Sequence, residues 1–493
     1  MKIGFDNDKY IAMQAEHIRE RIAQFGGKLY LEFGGKLFDD YHASRVLPGF
    51  APDSKIRMLS SMRDEVEIVI TINANHIEKS KVRGDLGITY DEDVLRLMDI
   101  FQGLGFYVGS VVISQYANQP SADAFIKRLD TLGVAHYLHY PIAGYPHDIE
   151  HIVSDEGYGK NDYVETSKPL VVVTAPGPGS GKMATCLSQL YHENKRGILA
   201  GYAKYETFPI WNLPLKHPVN VAYEAATVDL DDANIIDPFH LEAYGEITVN
   251  YNRDVEIFPV LRAMMEKILG ESPYKSPTDM GVNMAGKAIC DDEACREAAK
   301  NEILRRYFNT AVKVKRTGNG EDEVARLELL MQQTGLDYHT CPGRKEALVK
   351  AEATGAPAGA IVLSDGRVVT GKTSTLLGAA SSSLMNALKA IAGIDDAALL
   401  ISDEALEPIC NMKTEFLHSQ NPRLHPNETI IALSISSAVD PDAARALAAL
   451  KSLQGCDAFF SVIIPEADER LYRTLGINVC CEPQFENHHY YHK

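Results

Sequence analysis

Residues 171–185, VVVTAPGPGSGKMAT, carry the most chemically informative pattern in the sequence. The pattern predicts a buried β-branched strand, a glycine-rich turn, and a helix that begins near the lysine. Glycines let successive backbone N–H groups surround an anion, the helix N-terminus adds the positive end of its dipole, and the lysine adds a point charge. The segment therefore predicts a phosphate or nucleotide site. Its candidate cofactor-binding residues are Gly177, Gly179, Ser180, Gly181, Lys182 and Thr185.

Lys182 is also the candidate catalytic residue, because its ammonium would neutralise the charge that grows during phosphoryl transfer. The spelling GPGSGK at residues 177–182 resembles the phosphate-binding loop of nucleotide-binding proteins and is close to that of adenylate kinases. Two positions depart from the usual pattern. Pro176 replaces its first glycine, and Met183 replaces the hydroxyl residue that would contact Mg²⁺. We therefore expect ATP or another nucleotide as the cofactor, leave Mg²⁺ undecided, and keep a structural turn without a ligand as the alternative.

A second segment, GRVVTGKT at residues 366–373, fits the phosphate-loop pattern literally. Its centre is β-branched, and such residues favour an extended backbone over one that gathers N–H groups. Asp365 and Gly366 stand between two β-branched runs, which is typical of a hairpin turn. We therefore predict a β-hairpin here and not a phosphate site.

Four histidines lie close together in and directly after a strand predicted near residues 134–139, and several acidic residues accompany them. They are His136, His139, His147 and His151. The carboxyl ends of strands in open α/β sheets face the ligand crevice, so a second-substrate or metal site is one interpretation. Solvated loop histidines are the favoured interpretation.

An acidic segment at residues 229–237 is a weaker candidate. Its carboxylates are Asp229, Asp231, Asp232 and Asp237, around a short apolar run. A carboxylate that follows an apolar strand can hold Mg²⁺ beside a nucleotide. Because the run is short and contains asparagine, a surface acidic loop is the favoured interpretation.

Lys204, Glu206 and Trp211 stand in a stretch rich in tyrosine and proline, a composition that suggests the lining of a ligand cleft. The tail at residues 487–493, NHHYYHK, favours a packed aromatic terminus over adventitious metal binding. The sequence contains no C-x-x-C, H-E-x-x-H or G-x-S-x-G pattern, so we expect no zinc site and no serine hydrolase site.

The elements that would position these residues alternate between strand and helix. Apolar β-rich runs occur at residues 28–33, 66–72, 107–114, 134–139 and 169–174, and amphipathic helices are predicted at 91–102, 122–132 and 183–194. This alternation predicts an α/β fold with a mostly parallel sheet. After a hairpin at residues 360–370 and a helix at 373–392, strands are predicted at 398–401, 429–435, 458–464 and 477–480, with helices between them.

A chain of 493 residues is long enough for about three domains. The composition and element pattern predict an N-terminal α/β domain at residues 1–230 that holds the P-loop-like strand–turn–helix. They also predict a mainly helical region at 231–340 and a C-terminal α/β domain at 341–493.

The charge balance is strongly acidic, with 67 Asp and Glu against 49 Lys and Arg and a formal net charge of −18. That field would repel a polyanion, so we expect no nucleic acid partner. No apolar stretch approaches the roughly 18 residues of a membrane span, so we expect no membrane partner. The N-terminus has no apolar signal region and the eight cysteines form no C-x-x-C pair, which predicts a reduced cytoplasmic protein.

Several strings together resemble a family. They are KLYLEFGGK (28–36), RGDLGI (83–88), TAPGPGSGKMAT (174–185), EAAT (224–227), DPFH (237–240), TVNYNR (248–253) and SPTDMGVNM (276–284). On these the chain is identified as a member of the uncharacterised bacterial protein family 0371, also called domain-of-unknown-function family 1846, over essentially its whole length. The resemblance implies a C-terminal three-layer α/β sandwich similar to the cytidine-deaminase-type fold. A deaminase would carry H-x-E near the start of its catalytic helix, and residues 381–385 read SSSLM, so the zinc motif is missing.

Three functional hypotheses remain open. The first is a nucleotide-dependent transferase or ligase with a phosphate-containing small molecule as its partner. The second is a regulatory protein that holds a phosphorylated metabolite at residues 175–182 without turnover. The third is an assembly protein, such as a homo-oligomer, in which this loop is only a turn.

Overall fold

The computed structural model describes residues 2–35, 37–38, 40–83, 86–419 and 421–486. Within these residues the chain forms two compact units, one of residues 2–296 and one that begins at Glu297. Both combine a β-sheet with packed helices, so the predicted α/β class is confirmed. The finer division at residues 230 and 340 stays a prediction.

The first unit contains eleven strands in its described residues. They are β1 (Leu29–Phe33), β2 (Val66–Asn73), β3 (Val82–Arg83), β4 (Ile88–Thr89), β5 (Tyr107–Ser114), β6 (His136–Leu138), β7 (Leu170–Thr174), β8 (Gly201–Tyr205), β9 (Asn234–Ile236), β10 (Val249–Tyr251) and β11 (Gly281–Val282). Seven of them form one sheet in the order β11-β8-β1-β7-β2-β5-β6. Every pairing in that sheet is parallel, as the alternation of strands and helices predicts.

The helices of this unit are α1 (Asn7–Gln24), α2 (Tyr41–Val46), α3 (Ser54–Ser60), α4 (Ala74–Glu78), α5 (Tyr90–Gly103), α6 (Pro120–Thr131), α7 (Ile149–Ile152), α8 (Lys182–Lys195), α9 (Pro218–Ala226), α10 (Pro238–Tyr244), α11 (Asn252–Leu269) and α12 (Pro277–Met280). The next helix, α13 (Asp292–Thr317), contains the division between the two units.

Apolar cores cover both faces of the seven-stranded sheet. Successive strand side chains point to opposite faces. Leu29 and Leu31 of β1 therefore pack with α1, α3, α5 and α6. Tyr30 of the same strand points the other way and packs with Val173 of β7 and with α8 and α11. A sheet buried on both faces explains why β7 is entirely apolar before its final threonine.

The second unit has a smaller mixed sheet. Its strands are β12 (Ala358–Val362), β13 (Val368–Lys372), β14 (Asp457–Phe460) and β15 (Asn478–Cys481). Its further helices are α14 (Glu321–Thr334), α15 (Arg344–Thr354), α16 (Ala379–Ala392), α17 (Asp403–Asn411), α18 (Pro426–Ser436), α19 (Pro441–Ala448) and α20 (Glu466–Thr474). The strand order is β13-β12-β14-β15, and β12 is antiparallel to both of its neighbours.

The hairpin predicted around Asp365 and Gly366 is confirmed, since β12 and β13 pair in antiparallel register and Gly366 has a φ of +86°. Two strand predictions in this unit are wrong. Residues 429–435 lie in α18, where Pro426 takes the first helical turn and Leu433 packs into the core, which overrides their β-branched preference. Residues 398–401 form no strand. The Ala398 N–H instead donates a hydrogen bond to the Asp395 carbonyl in a turn.

A search of the described helices for long apolar segments finds none able to cross a membrane.

Candidate functional site

The glycine-rich loop follows the central strand of the parallel sheet. β7 lies between β1 and β2, and α8, which follows the loop, packs on one face of the sheet. The helices that follow β1, β2 and β5 pack on the opposite face. Neighbouring connections that leave toward opposite faces open a crevice outside the carboxyl ends of the strands. Residues 175–181 stand at that crevice.

Three loop positions require glycine, either because their φ angle is positive or because there is no space for a Cβ. Gly179 and Gly181 have φ angles of +75° and +92°, a region that residues with a Cβ rarely adopt. A Cβ on Gly181 would also stand 2.7 Å from Ser114 Oγ, and one on Gly177 would collide with the Tyr90 hydroxyl. The loop can therefore reach α8 by this path only with glycine at these positions.

Side chains from three elements bind the carbonyl groups of the loop. Ser180 is fully buried, and its hydroxyl donates to the Gly177 carbonyl at 2.8 Å. Ser114 Oγ at the end of β5 donates to the Ser180 carbonyl at 2.9 Å, and Asn73 Nδ2 at the end of β2 donates to the Gly179 carbonyl at 3.1 Å. These contacts fix the loop and engage its acceptors, not its donors.

The donors of the loop remain available. Across the described residues, the backbone N–H groups of Gly177 and of residues 179–183 donate to no acceptor, and no side chain caps α8. Lys182 Nζ likewise forms no ion pair or hydrogen bond with any residue that the structure describes. Consecutive unengaged N–H groups at a helix start, beside an unpaired ammonium, are the arrangement that binds an anion in proteins.

The structure places Thr185 differently from the other candidates. It lies in the first turn of α8 and is buried, and its Oγ1 has no hydrogen-bond partner in the described part of the chain.

His76, which the sequence did not single out as part of this site, lies beside the glycine-rich loop. Its ring packs edge-on against Tyr90, and its Cε1 would stand 3.4 Å from a Cβ on Gly179. Burial, with Lys81 and Lys79 nearby, lowers the pKa of His76, so the ring is neutral at pH 7.

A second polar cluster lies where β8 ends. Lys204 Nζ stands 2.6 Å from both carboxylate oxygens of Asp254 and 2.7 Å from Glu206 Oε1. Trp211 lines the same cleft, and its indole N–H donates to the Asn283 carbonyl at 2.8 Å. The structure thus brings together Lys204, Glu206 and Trp211, the three residues for which composition suggests a cleft.

Charges in this cluster are strongly perturbed. Burial raises the pKa of Glu206 to about 8, and Asp254 adds to the shift while Lys204 opposes it. Burial would lower the pKa of Lys204, but the carboxylates of Asp254, Glu206 and Glu32 outweigh it and raise that pKa. Burial thus favours the protonated form of Glu206, and the surrounding carboxylates favour the ammonium form of Lys204. Strong perturbation beside a cleft marks a candidate functional site.

The four histidines do not form a common site. His139 is buried with its Nε2 3.1 Å from the Asp162 carbonyl, and burial lowers its pKa to about 4. His136 Nδ1 lies 3.6 Å from Asp130 Oδ1, and His147 is exposed. No group of three or more His, Cys, Asp or Glu residues among those described is arranged to hold a metal ion.

The acidic segment is divided between surface and structural roles. Asp229 and Asp231 are exposed, and Asp232 pairs with Arg253 at 2.5 Å. Asp237 is fully buried, caps α10 through Oδ1, and accepts the Thr278 hydroxyl at 2.6 Å through Oδ2. Asp237 therefore already uses both oxygens and is not poised as a Mg²⁺ ligand. Residues 487–493 lie outside the described residues, so the interpretation of the tail stays open.

Comparison with known proteins matches the whole chain. The pattern described as "Domain of unknown function DUF1846, N-terminal" matches residues 3–335, and its C-terminal counterpart matches residues 340–491. The chain belongs to the DUF1846 family. Family membership, predicted from the strings above, is thereby confirmed.

Relatives from streptococci match over their full length. A UPF0371 protein of Streptococcus thermophilus strain CNRZ 1066 is 56% identical over 492 residues, and one of Streptococcus pneumoniae strain R6 is 57% identical over 495 residues. In both cases all of this chain and all of the relative are covered. These names describe no reaction.

Proposed function

We propose that the crevice at the carboxyl edge of the parallel sheet binds a phosphorylated small molecule, such as a nucleotide, through the loop at residues 177–182. One observation carries the proposal: the N–H groups of residues 179–183 and the Lys182 ammonium, which have no partner among the described residues, all belong to the short segment at the start of α8. Backbone donors of this kind bind phosphate without side-chain charge, which suits a protein whose overall field is negative.

A nucleotide-dependent transferase or ligase is the catalytic form of this proposal. Lys182 would then stabilise charge on the transferred group, with ATP as the first cofactor to test. Met183 and the fully engaged Asp237 favour a second form, in which the loop holds a phosphorylated metabolite without turnover, because neither residue offers an oxygen to Mg²⁺. Phosphate release from ATP in the presence of Mg²⁺ separates the two forms.

Titration calorimetry with ATP, GTP and inorganic phosphate tests the binding step. Replacing Lys182 by alanine should weaken binding of each anion at least about tenfold, because the ammonium supplies the local positive charge. Lys195→Ala is a matched control at the opposite end of α8, where the ammonium pairs with Asp155. If wild-type protein binds none of the three anions, or if both variants bind as the wild type does, the proposal fails.

We also propose that the second unit has a deaminase-like arrangement without zinc chemistry. The order β13-β12-β14-β15, with β12 antiparallel to its neighbours, supports the arrangement. Ser381 in the first turn of α16 donates its hydroxyl to the Leu424 carbonyl at 2.8 Å and offers no zinc ligand. Elemental analysis of protein incubated with zinc should find less than about 0.1 equivalent bound.

A further inference from the structure

An imidazole and an ammonium group share one tyrosine ring beside the glycine-rich loop. Tyr90, the first residue of α5, is buried, and its hydroxyl leaves no room for a Cβ on Gly177. The ring of His76 in α4 packs edge-on against Tyr90, with 5.3 Å between the ring centroids. Lys81 Nζ lies over the same ring, 5.0 Å from its centroid. One tyrosine ring therefore joins the beginning of the loop to both side chains.

Backbone and side-chain hydrogen bonds hold the segment at residues 73–81 against the loop. The Lys81 N–H donates to the His76 carbonyl at 2.9 Å, and the Tyr90 N–H donates to the Lys81 carbonyl at 2.9 Å. At the other end of the segment, Asn73 Nδ2 donates to the Gly179 carbonyl at 3.1 Å. The positions of His76 and Lys81 relative to the loop are thus fixed by the fold.

The polar atoms of these two side chains are available to a ligand. His76 Nδ1 is buried and has no hydrogen-bond partner in the described part of the chain, and Nε2 stands 3.6 Å from the Cβ position of Gly179. Lys81 Nζ forms no ion pair with any carboxylate that the structure describes, although the chain holds 67 acidic residues against 49 basic ones. A buried polar atom without a partner and an ammonium that meets only a ring both favour an external hydrogen-bonding group.

The two side chains lie on the open side of the loop. Pro178 and Gly179 are exposed, and His76 and Lys81 are half-buried. Among the described residues, only the ring of His76 would come within 4 Å of a Cβ on Gly179. An anion from solvent can therefore contact the loop and these side chains together, without a passage through the core.

A single phosphate group would leave His76 and Lys81 without a role. The N–H groups of residues 179–183 and the Lys182 ammonium already outnumber the three terminal oxygens of a phosphate monoester. Those donors lead into α8, whereas His76 and Lys81 contact Gly179 and Tyr90 at the beginning of the loop. Such a position suits a second anionic group joined directly to the first.

We infer that His76 and Lys81 form a second anion subsite and that the ligand of the loop is a diphosphate ester, with one phosphate at residues 179–183 and its neighbour at this subsite. The inference rests on the proposed phosphate site and names the class of its ligand. Lys81 exchanges its contact with the Tyr90 ring for a charge-assisted hydrogen bond, which is the stronger interaction. His76 donates from the ring nitrogen that faces Gly179.

Three small probes test the inference by calorimetry at pH 7. Methyl phosphate offers one phosphate, methyl diphosphate offers two that are directly joined, and 2-phosphoglycolate pairs one phosphate with a carboxylate at a different position. We expect methyl diphosphate to bind at least about tenfold more tightly than methyl phosphate, because it gains one charge-assisted contact. 2-Phosphoglycolate should bind clearly less tightly than methyl diphosphate.

Variants locate the source of this preference. Lys81→Met keeps an unbranched stem on the Tyr90 ring and should reduce the preference for methyl diphosphate about tenfold, whereas Lys81→Arg should retain most of it. His76→Phe keeps the ring contact with Tyr90 and should reduce the preference a few fold. Lys275→Met is the matched control, because Lys275 Nζ lies over the ring of Tyr244, 5.5 Å from its centroid, at the edge of the sheet beyond β8.

The outcomes separate the phosphate site from its ligand class. If none of the three probes binds, both proposals are wrong. If methyl phosphate and methyl diphosphate bind equally well and both need Lys182, the phosphate site stands and the diphosphate is wrong. The same conclusion follows if 2-phosphoglycolate equals methyl diphosphate. The second subsite is also refuted if the preference persists in both Lys81→Met and His76→Phe, or if Lys275→Met reduces it as much as they do.

Discussion

Two glycine–lysine pairs in this protein have opposite surroundings. Gly181 and Lys182 lie where a loop at the carboxyl edge of the parallel sheet enters α8, and the N–H groups there are unengaged. Gly371 and Lys372 lie inside β13, where Gly371 is in register with Gly359 of β12. The second pair stands in the more faithful phosphate-loop pattern, yet its backbone is committed to a strand. Backbone conformation, and not residue order, therefore decides where an anion can bind.

A methyl group added at Gly181 or at Gly371 should have different effects on anion binding. Gly181→Ala forces a Cβ into a φ of +92° and to within 2.7 Å of Ser114 Oγ, so the loop must shift. We expect phosphate affinity to fall tenfold or more, with about 1–3 kcal/mol lost from the free energy of unfolding. Calorimetry with phosphate and denaturant unfolding of the full chain measure the two effects.

Gly371→Ala is the matched change at the second pair. Its Cβ would stand 2.6 Å from the Ser383 Cα of α16, so we expect about 1–3 kcal/mol of destabilisation by overpacking. Phosphate affinity should be unchanged, because the extended backbone of this strand does not gather successive N–H groups around one point. Loss of phosphate binding in Gly371→Ala, or its retention in Gly181→Ala, would reverse the assignment of the two segments.

Local patterns predicted the elements that local forces determine. The β-branched run before the loop and the amphipathic segment after it became β7 and α8 close to their expected bounds. The same reasoning misassigned residues 429–435, because Ile430, Ile431 and Ile435 favour strands in isolation. Pro426 at the helix start and the burial of Leu433 against the core decided for α18.

The candidate site was only half accessible to such reasoning. The glycines and Lys182 are contiguous and could be recognised together. Ser114 and Asp254 could not, since they lie 66 and 50 residues from their partners Ser180 and Lys204. Their proximity follows from the strand order. In that order β8 and β11 lie on one side of β1, whereas β2 and β5 lie on its other side. Single-sequence periodicity carries no information about that order.

Two acids, Glu206 in the Lys204 cluster and Asp365 in the turn of the β12–β13 hairpin, should respond to pH in opposite ways. Glu206 has a folded-state pKa of about 8, above its usual value, so its favourable contribution is complete below about pH 4.5 and is lost as the pH rises to 8. We expect the free energy of unfolding of the wild type to fall by about 1–3 kcal/mol over this range relative to Glu206→Gln. Denaturant titrations at several pH values measure the difference.

Asp365, before the second pair, provides the contrasting case. The backbone N–H and the guanidinium of Arg367 lower the pKa of this exposed carboxyl. Its contribution to the free energy of unfolding is therefore present at every pH above its usual pKa, and it is lost only as the pH falls through the lowered pKa. Asp365→Asn should therefore leave the pH dependence of the unfolding free energy between pH 5 and 8 unchanged. A wild-type slope identical to that of Glu206→Gln would show that Glu206 ionises normally.

The smallest effect distinguishes the hydroxyl groups of the two segments. Ser180→Ala removes the buried hydrogen bond to the Gly177 carbonyl and should cost about 1 kcal/mol of unfolding free energy. We expect phosphate affinity to fall only a few fold, because the N–H donors remain but the loop is less firmly held. Thr373, at the hydroxyl position of the literal pattern, makes no side-chain hydrogen bond with a described residue, so Thr373→Ala should change neither quantity. Calorimetry with phosphate compares the two variants in one buffer. Equal affinities in Ser180→Ala and Thr373→Ala would mean that the serine does not organise the loop for an anion.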